Sequence, residues 1–393
     1  MRFFKDLSAS AFTAGFVAVL VGFTSSVAIV FQAALAFGAS PAQIASWMWA
    51  LGLGMGLCSL VPSLWLRKPV MVAWSTSGAA VLALAGGFSM SEAIGAFMVC
   101  AALVTVFGVT GWFEKIMDRV PVAICSALLA GVLTRFGLQA FLAAQTALPM
   151  VLLMLAAYVL GKRWLPRYAV VLTLFVGIVF TAAHGDMAPA DIAFGLTVPV
   201  FTAPSFSWSA IVSLAIPLFV VSMASQNLPG VAVIRATGYG GPDGIPISKI
   251  ITLTGVATLV LAPFGAFALN LSAITAAMCM GREAHEDPEK RYTAAVSCGA
   301  IYVLIGLFGA AIAGVLTAFP KELVAAIAGL ALLGTIGNGL TTALHNEHHR
   351  EAAVITFLVT LSGVVIAGVG SAFWGVVAGS IAIAVQQYRR RSA

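Results

Sequence analysis

Two short segments of this sequence interrupt apolar runs with polar residues in the same pattern. They are Pro69-Val-Met-Val-Ala-Trp-Ser-Thr-Ser-Gly-Ala-Ala80 and Pro263-Phe-Gly-Ala-Phe-Ala-Leu-Asn-Leu-Ser-Ala-Ile-Thr275. Each opens on a proline, continues with apolar residues that can extend, breaks at polar residues, and resumes with small helix formers. A helix starting near Ser75–Ser77 leaves unpaired backbone N–H groups and the positive end of its dipole at the break. A second start near Asn270–Ser272 does the same. Two such starts approaching from opposite directions would hold an anion, such as a carboxylate, without any fixed positive side chain. Ser75, Thr76, Ser77, Asn270 and Ser272, with Leu271 between the last two, are therefore candidate substrate-binding residues, as caps or as direct donors. The competing reading is two plain helices whose hydroxyls bond back onto their own backbone.

Other polar residues lie in apolar surroundings. Gln226 and Asn227 are adjacent amides just before Pro229-Gly230. Buried amides need partners, so they glue helices or contact substrate, and substrate contact is preferred because Pro229 also frees backbone groups there. Trp74 and Phe267, beside the two breaks, could stack on an aromatic ligand or simply pack. Ser25, in the polar patch Thr24-Ser25-Ser26, is a secondary candidate. Arg135 is another, as the basic residue well inside an apolar run, where a charge is a functional hypothesis; snorkelling or a backbone carbonyl partner is the alternative. Asn338 is a third, although the small residues around it favour close packing. His345-Asn-Glu-His-His-Arg350 could bind metal or sense protons, but reads better as a solvated loop, as does the charged stretch Arg282–Arg291. The five cysteines form no CxxC pair and no His-rich cluster, so neither a disulfide scaffold nor a zinc site is supported, and no cofactor is expected.

These residues must be positioned by membrane-spanning elements. Apolar residues make up 61% of the 393 positions and charged ones only 9%, with a mean hydropathy of +1.04. A soluble domain carries roughly 25% charge, so this chain has a solvent other than water. Breaking it at charged, Pro/Gly and polar clusters predicts about fourteen spans. In the first half these are 11–37, 43–65, 69–87, 91–113, 120–143, 147–161 and 168–184. In the second they are 207–233, 248–262, 263–281, 292–318, 323–344, 352–369 and 371–387. The first run is too long for the apolar region of a cleaved signal and reads as a span.

With both termini in the cytoplasm, all Lys and Arg except Lys321 and Arg135 fall on the inner side, as the positive-inside rule requires. That scattered pattern also argues against nucleic acid as a partner, despite the net charge of +6. The 185–206 connection is the longest stretch outside the spans. It divides the chain into seven-span halves, 1–195 and 196–393. Because seven is odd, similar halves would be related by inversion across the membrane, as in many secondary transporters. The two broken segments are the third span of each half, and Pro69–Gly87 and Pro263–Gly281 have equal length. A few extended residues followed by a half-helix cover roughly 30 Å, one hydrocarbon thickness, which puts the polar break near the midplane. The predicted fold is an all-α polytopic membrane protein of 7+7 inverted repeats, with short strands and half-helices in spans three and ten. No Asp or Glu lies near midplane, Glu92 coming closest, and no catalytic cluster shares one depth, so an enzyme is not expected.

Ser8-Ala-Ser-Ala-Phe-Thr-Ala-Gly-Phe16, Lys68-Pro-Val-Met-Val-Ala-Trp-Ser-Thr-Ser-Gly78 and Gln226-Asn-Leu-Pro-Gly230 resemble the benzoate:proton symporter (BenE-type) family over nearly the whole chain. The resemblance implies an inner-membrane carrier importing benzoate or a related aromatic carboxylate together with protons. That family is distantly similar to uracil and xanthine permeases and to sulfate permease-like carriers. From these comes the expectation of a core, spans one to four and eight to eleven, moving against a gate, spans five to seven and twelve to fourteen. A homodimer is a further expectation. The nucleobase carriers generally hold the base with a carboxylate on span eight, where this chain offers Gln226 and Asn227. That departure suits an anionic ligand, although paired amide hydrogen bonds keep a nucleobase or other heterocycle as the alternative substrate.

Overall fold

A computed structural model describes the chain except residues 1, 25, 114–121, 166–167, 186–194, 242, 283, 318, 365, 367–370 and 392–393. The first half contains α1 (Arg2–Asp6), α2 (Ala9–Thr24), α3 (Val27–Ala36), α4 (Pro41–Leu66), β1 (Val72–Trp74), α5 (Thr76–Ala83), α6 (Met90–Thr110), α7 (Val122–Leu142), α8 (Ala144–Trp164) and α9 (Ala169–His184). The second contains α10 (Trp208–Arg235), α11 (Ile247–Leu261), β2 (Leu269–Leu271), α12 (Ile274–Met280), α13 (Tyr292–Leu307) and α14 (Gly309–Thr317). It closes with α15 (Lys321–His345), α16 (Arg350–Ser362) and α17 (Ser371–Arg391). Among the described residues, seven helical runs are long and apolar enough to cross a membrane, counting α2 with α3 and α11 with the turn that follows it as one run each. Trp65, Trp164 and Trp208 are strongly exposed, as interfacial tryptophans are.

The halves interlock by exchange. The long helix after the first break in each half packs on the helix before the break in the other: α6 on α11, and α13 on α4. The broken segments meet through β1 and β2, and α7 packs along α15. Glycines permit the closest crossings. A Cβ at Gly52 would lie 2.5 Å from Gly306 Cα, and one at Gly56 2.7 Å from the Gly299 carbonyl. Small residues let backbones approach where lipid offers no hydrophobic drive for association. A second set of helices, α7 to α9 and α15 to α17, packs mainly within itself.

Several predicted spans are not single regular helices. The 11–37 run is α2 and α3, broken at Ser26, which has non-helical φ −141°. Its hydroxyl bonds back to the Gly22 carbonyl. The 292–318 run is interrupted at Phe308. Helix α10 is continuous but carries π-helical turns at Ile211–Ala215 and Met223–Asn227. Each lies just ahead of a proline, Pro217 or Pro229. A proline ring clashes with the carbonyl four residues back, here Ser213 and Ser225, and widening the turn by one residue relieves that clash.

The described part of the 185–206 connection is anchored rather than free. Thr197 N–H donates to the Leu307 carbonyl (2.8 Å), Thr202 to Pro263 (2.8 Å) and Ser205 to Ser91 (2.9 Å). The link between the halves thus ties together helix ends from both.

Candidate functional site

The site is built on two three-residue strands. Val72, Ala73 and Trp74 pair antiparallel with Leu271, Asn270 and Leu269. Ser75 N–H donates to the Ala268 carbonyl (3.0 Å) and Ser272 N–H to Met71 (2.9 Å), extending the ladder by one step at each end. Two strands alone leave outer edges unpaired, and in hydrocarbon each orphan backbone group costs several kcal/mol. Side chains close them: Ser59 accepts from Val72 N–H (2.9 Å), Thr258 from Leu269 N–H (3.1 Å) and Asn227 from Leu271 N–H (3.0 Å). Ser59→Ala and Thr258→Val are therefore each expected to cost about 1–3 kcal/mol, read as a lower melting temperature in detergent. Thr173→Val, which removes a hydroxyl bonded only to the Ala169 carbonyl one turn back, is the near-neutral control.

Half-helix α5 begins where its polar residues place it. Ser75 is its N-cap, accepting from Gly78 N–H (2.9 Å) and from the Ser222 hydroxyl (3.1 Å). At α12 the cap position is Ala273, with no side-chain acceptor, and the Thr275 hydroxyl donates to Ser272 (2.6 Å). Both starts open on one cavity of about 180 Å³, far more than the roughly 10–15 Å³ a single water needs.

Five of the sequence-predicted residues line this cavity: Trp74, Thr76, Ser77, Gln226 and Ser272. Gln226 Nε2 donates to the Ser77 hydroxyl (3.2 Å), which also pairs with Ser225 (2.8 Å). Trp74 Nε1 donates to Ser26 (2.8 Å), so that the polar patch on the first span fixes the indole at the cavity wall. Ser75, Asn227, Asn270 and Leu271 stand one layer behind, holding the strands. Asn227, fully buried, donates from Nδ2 to Asn270 Oδ1 (3.2 Å), while Asn270 donates to the Ala268 carbonyl (2.6 Å). The structure brings Gln226 to the cavity and commits its neighbour Asn227 to the backbone.

Phe267 is placed elsewhere. Its ring is buried against Trp47 and Phe97, with centroids 5.8 and 6.0 Å away, and does not line the cavity. A strand alternates its faces, and the approach to β2 turns this ring toward α4 and α6. Ser25 lies outside the described residues. Arg135 is half-buried beside Gly363, the C-cap of α16, where a Cβ would meet its guanidinium at 2.5 Å. A cation at a helix C-terminus is favoured by the dipole, and Arg135 is not part of the cavity lining. Asn338 is exposed on α15 and also lies outside the lining.

Sequence reasoning missed Ser225, Tyr302 and the apolar wall of Leu129, Leu133 and Leu332. A tyrosine inside an apolar helix is a signal that could have singled out Tyr302. The leucines look like any others. Those leucines come from α7 and α15, so the cavity lies between the interlocked first set of helices and the second set. Among the described lining residues none is Asp, Glu, Lys, Arg or His.

A neutral, hydroxyl- and amide-lined cavity at paired helix breaks is the geometry of a membrane carrier, and the relatives agree. The family profile "BenE: Benzoate membrane transport protein" matches residues 5–385. The chain belongs to the BenE family. It is 47% identical over 373 residues to the inner membrane protein YdcO of Escherichia coli K12, covering 95% of this chain and 94% of that one. It is 39% identical over 379 residues to the benzoate membrane transport protein of Acinetobacter baylyi, covering 96% and 95%. Among solved structures, the transmembrane domain of a cyanobacterial bicarbonate transporter, BicA, aligns with a TM-score of 0.62 at 14% identity, over 96% of this chain and 98% of that one. The anion transporter family member SLC26A9 aligns at 0.58 and 13%, over 95% and 65%. This BenE-family protein is thus a multi-pass inner-membrane secondary transporter of inverted-repeat fold, not an enzyme.

Proposed function

We propose that this protein imports benzoate or a closely related aromatic carboxylate together with protons, by alternating access. The observation that carries the reading is the charge-free lining of the cavity: hydroxyls, one amide and backbone at two helix starts. A fixed carboxylate there would repel an anion, whereas neutral donors favour it without trapping it. Trp74 and the leucines of α7 and α15 give the ring an apolar bed. The family relation to a benzoate transport protein supports the same substrate class.

The packing supports a core and a gate as the moving parts. Spans one to four and eight to eleven, joined by the strand pair and the glycine crossings, form a rigid core. The set α7 to α9 with α15 to α17 forms the gate, and the cavity lies where they meet. Both termini face the cytoplasm, the side that collects Lys and Arg.

The test is uptake of labelled benzoate into proteoliposomes holding the purified protein, with and without an inward proton gradient. Saturable uptake that the gradient stimulates is the expected result. No uptake above empty vesicles, with uracil or xanthine accumulating instead, would move the assignment to a heterocycle paired with the Gln226 amide.

A further inference from the structure

Tyr302 of α13 lines the cavity and is only 2% exposed. Its hydroxyl makes no hydrogen bond to a described residue, and it is not among the enclosed polar atoms without a partner, Thr360 Oγ1 and Gln386 Oε1, so it opens on the cavity. The other nearly buried hydroxyls of the lining are already engaged: Ser26 with Trp74, Ser77 with Ser225, Ser272 with Thr275. A hydroxyl that opens on a cavity and is not engaged by a protein acceptor is free to donate to whatever fills that cavity. The geometry around Gly22 locates the group. A Cβ at Gly22 would lie 3.0 Å from the Tyr302 hydroxyl and 2.9 Å from Thr275 Cγ2. The phenol therefore occupies the corner where α2, α12 and α13 converge. Gln226, from α10, belongs to the same lining and is engaged with Ser77.

We propose that the Tyr302 hydroxyl donates a hydrogen bond to the carboxylate of the bound substrate, and so makes the carrier prefer an aromatic acid to its neutral amide. This rests on the aromatic-carboxylate reading above. A donor facing an ionised oxygen makes a bond about twice as strong as one facing a neutral carbonyl. That difference becomes selectivity in a cavity whose described lining holds no cationic side chain. Gly22 is part of the device, since a methyl group there would press on the hydroxyl.

The experiment compares wild type with Tyr302→Phe, which deletes the hydroxyl and keeps the ring. Benzoate affinity is measured by calorimetry, and benzamide by its competition against benzoate. Tyr302→Phe is expected to weaken benzoate about tenfold or more and benzamide by a few-fold at most. Thr173→Val, outside the cavity lining and with its hydroxyl bonded only to the Ala169 carbonyl, is expected to change benzoate affinity by less than about threefold. Equal benzoate affinity in wild type and Tyr302→Phe overturns the proposal while leaving the substrate class intact. Parallel losses for benzoate and benzamide overturn it too, because the phenol would then serve shape and not charge. Wild type that binds neither compound defeats the substrate reading itself. If Tyr302→Phe melts far below wild type, Gly22→Ala takes its place: unchanged benzoate affinity there also overturns the proposal.

Discussion

Gln226→Glu is expected to abolish benzoate uptake in a protein that still folds and inserts. Gln226 lines the cavity, donating to Ser77 from a π-helical turn. The substitution is nearly isosteric, so packing is unchanged and the added charge is the variable. Two negative charges about 4–5 Å apart repel by roughly 3–4 kcal/mol at an effective dielectric constant of about 20. That corresponds to a loss of about a hundred- to a thousandfold in benzoate affinity. Gln226→Ala removes one hydrogen bond without adding charge, and about a tenfold loss is expected. Uptake into proteoliposomes, normalised to inserted protein, reads both. If Gln226→Glu carries benzoate as wild type does, the anion does not bind in this cavity. If it loses benzoate and accumulates a nucleobase, the two substrate classes are separated by this position.

Asn227→Leu is expected to be the most destabilising single change at the site, with transport lost as a consequence. The Asn227 amide bridges α10 to β2, accepting from Leu271 N–H and donating to Asn270. Leucine would leave a backbone N–H and the Asn270 Oδ1 without partners in a fully buried place. Orphaned buried polar groups cost about 1–3 kcal/mol each, so the total is about 2–5 kcal/mol. Average interhelical hydrogen bonds in membranes contribute less, roughly 0.6 kcal/mol, because the alternative state finds other partners. A strand N–H held between helices has no such alternative. Thermal unfolding in detergent should show the loss. A variant that melts like wild type but fails to transport would instead place Asn227 among the substrate contacts.

The contrast between Gln226 and Asn227 shows where reading the chain alone reaches its end. Both are amides in one apolar helix, with the same neighbours in sequence. Neighbours on a helix point about 100° apart, so one amide meets the cavity and the other the strand, and only the surrounding packing decides which. Phe267 makes the same point, since proximity to the break in sequence says nothing about which face of an extended segment its ring takes. Tyr302 and the leucines of α7 and α15 reach the site from helices far away in the chain.

Legible in the chain alone were the solvent and the two breaks. Scarcity of charge demands a membrane, and Ser75-Thr-Ser77 and Asn270-Leu-Ser272 are local interruptions that no packing partner is needed to create. The tertiary structure alone decided how the breaks are completed and what faces the ligand. Strand edges must find partners in hydrocarbon, so Ser59, Thr258 and Asn227 are drawn to the backbone. The cavity is what the two sets of helices leave between them. Its lining is a property of that interface, to which residues distant in sequence contribute equally.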